Sequence, residues 1–440
     1  ADGHLPYDFL WDLKPPLLFY FFALIEKIFP HSFFAIRFFG TVIIFFSAIL
    51  LLKIAKEMKL RNGFIIALGY VLLSSEFGSL QGVMSEHFAV FFLLLGILFF
   101  IRRTNNYNLL ISGIAFGCAI LCKLNYAYAI AALIIFYFLF NWKRDFRQSV
   151  IYLLLSAAGI MIPIILVAIP FISSGKTNLF INSVFLAPLE YGHASNYTWL
   201  DKLKATWWVI VLITVIAYLS MKFSKQELKS LTYGTTAILA GTVYTFFSSG
   251  IVNGHYLVQV YPFLLILLFG IIIPKTIKFK LSIVAIVVAL LSFESILEYG
   301  RLIQNIGKPE EYRPTFKVVS ELRKRKLDND KIFFADYHIG YWLLNQYPFT
   351  KSTTHPSNLG RSFLFKYFND SNKTSLDELK FIMNDIRPEV IVSSADDLYF
   401  FQDSSLENIF FKKTLSEDFD MIYKDTTDRI FIWERDQKNK

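Results

Sequence analysis

The sequence predicts a polytopic α-helical membrane protein of about ten or eleven helices followed by a C-terminal α/β domain, and three observations predict it. The 440 residues are 55% hydrophobic, have a mean hydropathy of +0.46 and include 47 phenylalanines, more apolar surface than one water-soluble core can hide. Apolar runs of roughly 17–25 residues, the length a hydrocarbon core demands, recur as far as residue 298. Beyond that point the composition changes: residues 301–440 hold about 22 basic and about 22 acidic residues, so the net charge of +9 belongs to the apolar part.

Basic clusters punctuate alternate apolar runs: Lys53, Lys56, Lys59 and Arg61; Arg102 and Arg103; Lys143, Arg144 and Arg147; Lys222, Lys225 and Lys229; Lys275, Lys278 and Lys280. Lysines and arginines placed between spans read as cytoplasmic anchors, which removes nucleic acid as a partner. The spans are then 32–54, 63–80, 84–101, 107–122, 125–141, 149–171, 206–222, 230–249, 255–273 and 281–298. Parity puts residues 1–16, 81–86, 123–124, 173–205, 249–254 and everything after 299 on the opposite, extracytoplasmic face. Leu17 to Phe29 is too short to span and reads as an interfacial helix. Residues 1–16 have nothing before them to carry them across, so a further N-terminal helix is expected. The domains are thus 1–299, in the membrane, and 300–440, soluble.

In the soluble part a helix around Pro314 to Lys326 precedes a strand at Lys331 to Ala335, a helix at Leu376 to Asn384 leads to a strand at Glu389 to Val392, and Met421 to Trp433 reads as a hairpin turning at Asp425 to Asp428. There is no glycine-rich phosphate loop and no metal-spaced His/Cys cluster there. Cys118 and Cys122, one turn apart in an apolar run, read as packing residues.

Ionisable groups at a membrane face are costly, so clusters of them mark candidate sites. The first cluster is Asp2, His4, Asp8, Asp12 and Lys14, in the stretch that runs through Tyr7 and Trp11 to Pro15-Pro16. The paired prolines start a helix just after Lys14, which holds its ammonium near the headgroups, where a phosphate is its natural partner. The second is Ser85-Glu86-His87, where a carboxylate at a helix start can serve as general base or metal ligand; Glu76 is its rival. The third is Asn253-Gly254-His255-Tyr256, with a histidine suited to a phosphate or a metal. Lys123, between two spans, would be expensive unpaired and relieved by an anionic headgroup. The loop 173–205 adds Glu190, His193 and Asp201, with Tyr191, Tyr197 and Trp199 suited to a sugar face or an interfacial belt.

Taken in order, Leu5-Pro6-Tyr7-Asp8 through Trp11-Asp12-Leu13-Lys14-Pro15-Pro16-Leu17, then Ser85-Glu86, then His255-Tyr256 with Pro262, resemble the GT-C glycosyltransferases of the protein O-mannosyltransferase and lipid A aminoarabinose transferase type. The Asp-x-Lys-Pro-Pro segment is the most specific element, and the resemblance covers roughly residues 1–300. It implies a polyprenyl-phosphate sugar donor, transfer on the outer face of a bacterial cytoplasmic membrane, and an acceptor lipid, glycan or protein. Carried over, it gives Lys14 the donor phosphate, with His255, Lys123 and Tyr256 beside it. Glu86 and Asp12 become the catalytic carboxylates, and Asp8, Tyr7, His87, Glu190 and Tyr191 the acceptor or sugar contacts. The family's first-loop acidic residue would precede Ala1. Some relatives bind a divalent metal through the residue before the lysine, here Leu13, so a metal cofactor stays open. The rival classes are a lipid or solute transporter, for which internal repeats and broken mid-membrane helices are missing, a surface-polysaccharide polymerase or ligase, which would carry a longer outer loop, and a membrane scaffold for an active C-terminal domain.

Overall fold

A proline pair opens the first helix of the computed structural model, which describes residues 3–60, 62–76, 83–103, 105–193, 197–249, 253–273, 286–290, 292–305, 308, 313–368 and 372–436. By internal contacts the chain divides into two units, one made of residues 14–177 and 188–297 and the other of residues 2–13, 178–187 and 298–440.

In the first unit, α1 (Pro16–Ile28) has proline at its first position, where a missing N–H costs nothing and the fixed φ suits a helix. It is followed by α2 (Phe33–Glu57), α3 (Gly63–Glu76), α4 (Ser85–Ile101), α5 (Asn106–Cys122), α6 (Tyr126–Trp142), α7 (Phe146–Ser173), α8 (Trp199–Phe223) and α9 (Lys229–Ser248). A 3₁₀ turn, Gly254–Gln259, then leads into α10 (Tyr261–Ile272). Among the described residues α2, α7 and α8 are long and apolar enough to cross a membrane, and α4, α5, α6 and α10 are shorter apolar helices. A helix is present where one was expected from Leu17, as α1, and its Phe21 stacks on Phe88 of α4 at 5.1 Å.

Two expectations need correction. The loop 173–205 is largely helical, through Thr177–Ile181, Asn182–Leu186 and Ala187–His193, because Leu179, Phe180, Val184 and Ala187 recur at helical spacing and are buried. The span placed at 206 starts at Trp199 instead. Thr198 and Asp201 form a capping box, with the Thr198 amide donating to Asp201 Oδ2 at 3.0 Å and the Asp201 amide to Thr198 Oγ1 at 3.2 Å. Asp201 is therefore a helix cap, not a loop group awaiting a ligand. Part of the expected span 281–298 (281–285 and 291), the basic cluster Lys275, Lys278 and Lys280, Arg61, Asp2 and the side chains of Glu76 and His193 lie outside the described residues. The described remainder of that span includes an amphipathic helix, Phe293–Gln304, that exposes Phe293, Ile296 and Leu297.

Lipid tails are as apolar as leucine, so helices in a membrane associate by close packing. α5 and α7 meet backbone to backbone: a Cβ on Gly113 would lie 2.5 Å from the Ser156 carbonyl oxygen, and one on Gly159 only 2.4 Å from that of Leu110. At one end of the bundle Glu57 of α2 pairs with Arg102 at the close of α4, and the Arg103 guanidinium lies 4.7 Å from the Tyr137 ring.

The second unit carries, among the described residues, a four-stranded sheet in the order β1 (Ile332–Phe334), β2 (Val390–Ser393), β4 (Ile430–Arg435), β3 (Phe419–Asp425). β1 and β2 are parallel and the other pairs antiparallel. Val318 and Leu322 of the helix Pro314–Lys324 pack with Ile332, Phe334, Val390, Val392, Ile430 and Ile432. Arg435 is buried with its charge satisfied, its Nε donating to the Pro388 carbonyl at 3.0 Å and a terminal nitrogen to that of Met383 at 3.1 Å.

Gly159→Val is expected to force α5 and α7 apart and to lower the unfolding midpoint of the detergent-solubilised protein by several degrees, a cost of about 2–3 kcal/mol. Gly300→Ala, where an added Cβ meets nothing within 4 Å, is the control and leaves the midpoint unmoved.

Candidate functional site

Glu86 lies in the first turn of α4 and Lys123 caps the end of α5, so each charge sits at the helix terminus whose dipole attracts it. α4 and α5 pack side by side after a short turn, which brings the start of one to the end of the other. There Lys123 Nζ pairs with Glu86 Oε1. His255 Nε2 stands 3.3 Å from the same oxygen, and Ser85 Oγ donates to Oε2 at 2.9 Å. The Tyr126 hydroxyl donates to the main-chain carbonyl of Glu86 at 3.4 Å. Lys123 also lies over the Tyr256 ring, 4.4 Å from its centroid. Lys14 precedes α1 closely enough for its charge to act on both Lys123 and His255.

Glu86 is only 2% exposed and Lys123 9%. Removing either partner of such a buried pair strands the other, at roughly 3–5 kcal/mol. Lys123, expected to lack a protein partner, is therefore compensated by Glu86. The sequence held the signal, because the two-residue connection 123–124 and the start of α4 fall on one face by parity.

Lys202 escaped the sequence reading. Its buried ammonium donates to the carbonyls of Phe247 at 2.9 Å and Ser249 at 2.7 Å, capping the end of α9 just before the segment that carries His255. A lysine early in an apolar run, one helix away from an unsatisfied carbonyl end, was the available clue.

Several expected contacts are otherwise employed. His87 is fully buried and its Nδ1 accepts the Met84 amide at 3.2 Å, so it caps α4. Tyr191, half-buried beside Glu190 in the helix Ala187–His193, is near enough to Tyr256 for the two phenols to interact.

Asp8, Tyr7 and Asp12 belong to the second unit. Tyr7 is fully buried with φ at 67°, which makes it a packing residue and not a sugar platform. Asp8 is half-buried, its amide donating to the Leu5 carbonyl at 3.3 Å. Trp11 anchors this segment: its Nε1 donates to Ser183 Oγ at 3.0 Å, Asn358 Nδ2 donates to its carbonyl at 3.2 Å, and its ring lies 4.5 Å from that of Phe368. Asp12 Oδ1 accepts the Leu13 amide at 2.6 Å, and its charge reaches His338. Among the described residues no three His, Cys, Asp or Glu side chains are placed to hold a metal ion, and Leu13 offers no donor atom.

Apolar helices that terminate in a buried cluster of charge define an integral membrane protein with a polar site at one end of its bundle. Residues 13–171 match the family model described as dolichyl-phosphate-mannose-protein mannosyltransferase. The match supports the resemblance read from the sequence: over these residues the chain is similar to membrane glycosyltransferases of the protein mannosyltransferase type. No curated protein and no solved structure matches the chain.

Burial pushes the His338 imidazole down to about 4, with the neighbouring His355 ring adding to the shift and the Asp12 carboxylate opposing it. A base whose folded value lies below its unfolded value of about 6.5 binds fewer protons when folded. Its contribution is therefore intact above pH about 6.5 and is lost as pH falls toward 4. Thermal unfolding of the full chain should show this loss, on the order of 1–3 kcal/mol, and His338→Gln should flatten it.

Proposed function

We propose that this protein transfers a sugar from a polyprenyl-phosphate donor to a lipid, glycan or protein acceptor on the extracytoplasmic face of a bacterial cytoplasmic membrane, with inversion at the anomeric carbon. One observation carries the reading: the ammonium groups of Lys14 and Lys123 and the imidazole of His255 converge on one end of an apolar bundle, in a chain whose first part matches a lipid-phosphate-sugar transferase family. Such a cluster suits a leaving group that departs as a lipid phosphate, because positive charge fixed where negative charge develops lowers the barrier. The outer face is supported by charge. Arg102 and Arg103 lie at the opposite end of α4 from Glu86, and basic residues keep to the cytoplasmic side. By the same parity residues 300–440 form an extracytoplasmic domain.

The acceptor attacks as an oxygen or nitrogen nucleophile, gives its proton to a carboxylate, and displaces the polyprenyl phosphate. Glu86 and Asp12 are the two carboxylates that the sequence puts forward. Both Glu86 oxygens already have donors in Lys123, His255 and Ser85, and substitution distinguishes the two carboxylates. No nucleotide is required, in keeping with a face where nucleotide sugars are scarce.

Lys14→Ala should cut turnover of a polyprenyl-phosphate sugar by roughly 100-fold or more, as loss of one charge-stabilising donor does elsewhere. Undiminished turnover would remove Lys14 from the phosphate. Asp12→Asn should lower kcat by about 10²–10⁴-fold with donor KM little changed; wild-type kcat in that variant assigns the proton to another group.

A further inference from the structure

We propose that Glu86 acts as a displaceable counter-ion, holding Lys123 and His255 in place while the site is empty and yielding them to the phosphate of the lipid-linked donor. This rests on the donor reading above and gives the carboxylate a positioning role in place of a base.

Three observations carry it. A general base must present an oxygen to the proton it takes, yet Glu86 Oε1 is shared by Lys123 and His255, Oε2 accepts from Ser85, and the side chain is 2% exposed. A bare ammonium at the position of Lys123 would be a stranded buried charge, so an empty site needs an anion, and Glu86 is the one in contact. Finally, Lys14 is close enough for its charge to act on both Lys123 and His255, so an incoming phosphate meets more than one basic group there. A phosphate can exchange for the carboxylate on Lys123 while the face of Tyr256 continues to hold the ammonium.

The exchange predicts a gain of affinity on mutation, which neither a base nor a structural tether does. With Glu86 neutral, Lys123 and His255 have no resident anion to give up. Binding of a long-chain, sugar-free polyprenyl phosphate to the purified full chain in detergent should then tighten by on the order of tenfold and weaken more steeply as salt is added. Glu86→Gln is the test, in protein whose folding is verified by its unfolding midpoint. In a Lys123→Met background the same substitution should gain much less. Glu86→Asp keeps the charge but draws it back by one methylene, and should give a smaller gain in the same direction; it decides the matter if the glutamine variant does not fold. Unchanged or weaker binding in the folded variant overturns the exchange while leaving the donor reading intact. Absence of saturable binding by the wild-type protein overturns the donor reading, and the exchange with it.

Discussion

The ion pair between Glu86 and Lys123 is the interaction on which the site depends. Both groups are buried at one end of a largely apolar bundle, and neither tolerates that environment alone. Their pairing ties the first turn of α4 to the residue that caps α5, and His255 joins through the same carboxylate oxygen. Lys202 does comparable work at the end of α9, where its ammonium takes up carbonyls that no further helical turn could satisfy. The charged end of the bundle is thus built from lysines that close helix termini, two of them within reach of the segment carrying His255.

The two units obey different physics. In the membrane unit hydrophobicity does not distinguish helix contacts from lipid contacts, so small residues decide which helices touch, as Gly113 and Gly159 do between α5 and α7. In the other unit a sheet and its helices bury a conventional apolar core, and buried polar groups such as Arg435 have their donors matched to carbonyls. The stretch that carries the most specific sequence motif is divided between them, with Trp11 packed in one unit and Lys14 in the other.

The sequence by itself determined the membrane-spanning character, the starts and ends of most helices, and the helix–strand order after residue 313. These follow from local quantities, namely run length, periodicity, capping residues and proline, which act over a few neighbouring positions. It also singled out Glu86, Lys123 and His255, which the fold brings into contact. What it misjudged were the segments whose apolar spacing is short or interrupted, such as 177–193, and the residues whose role depends on a distant partner. Lys123 looked uncompensated, Tyr7 looked available, and His87 looked like a contact, because burial and pairing across 37 residues leave no mark on the residues in between. Only the tertiary structure decided that Glu86 already has its cations: whether a carboxylate is a base or a counter-ion depends on what stands within hydrogen-bonding distance of its oxygens, and helix packing sets that distance.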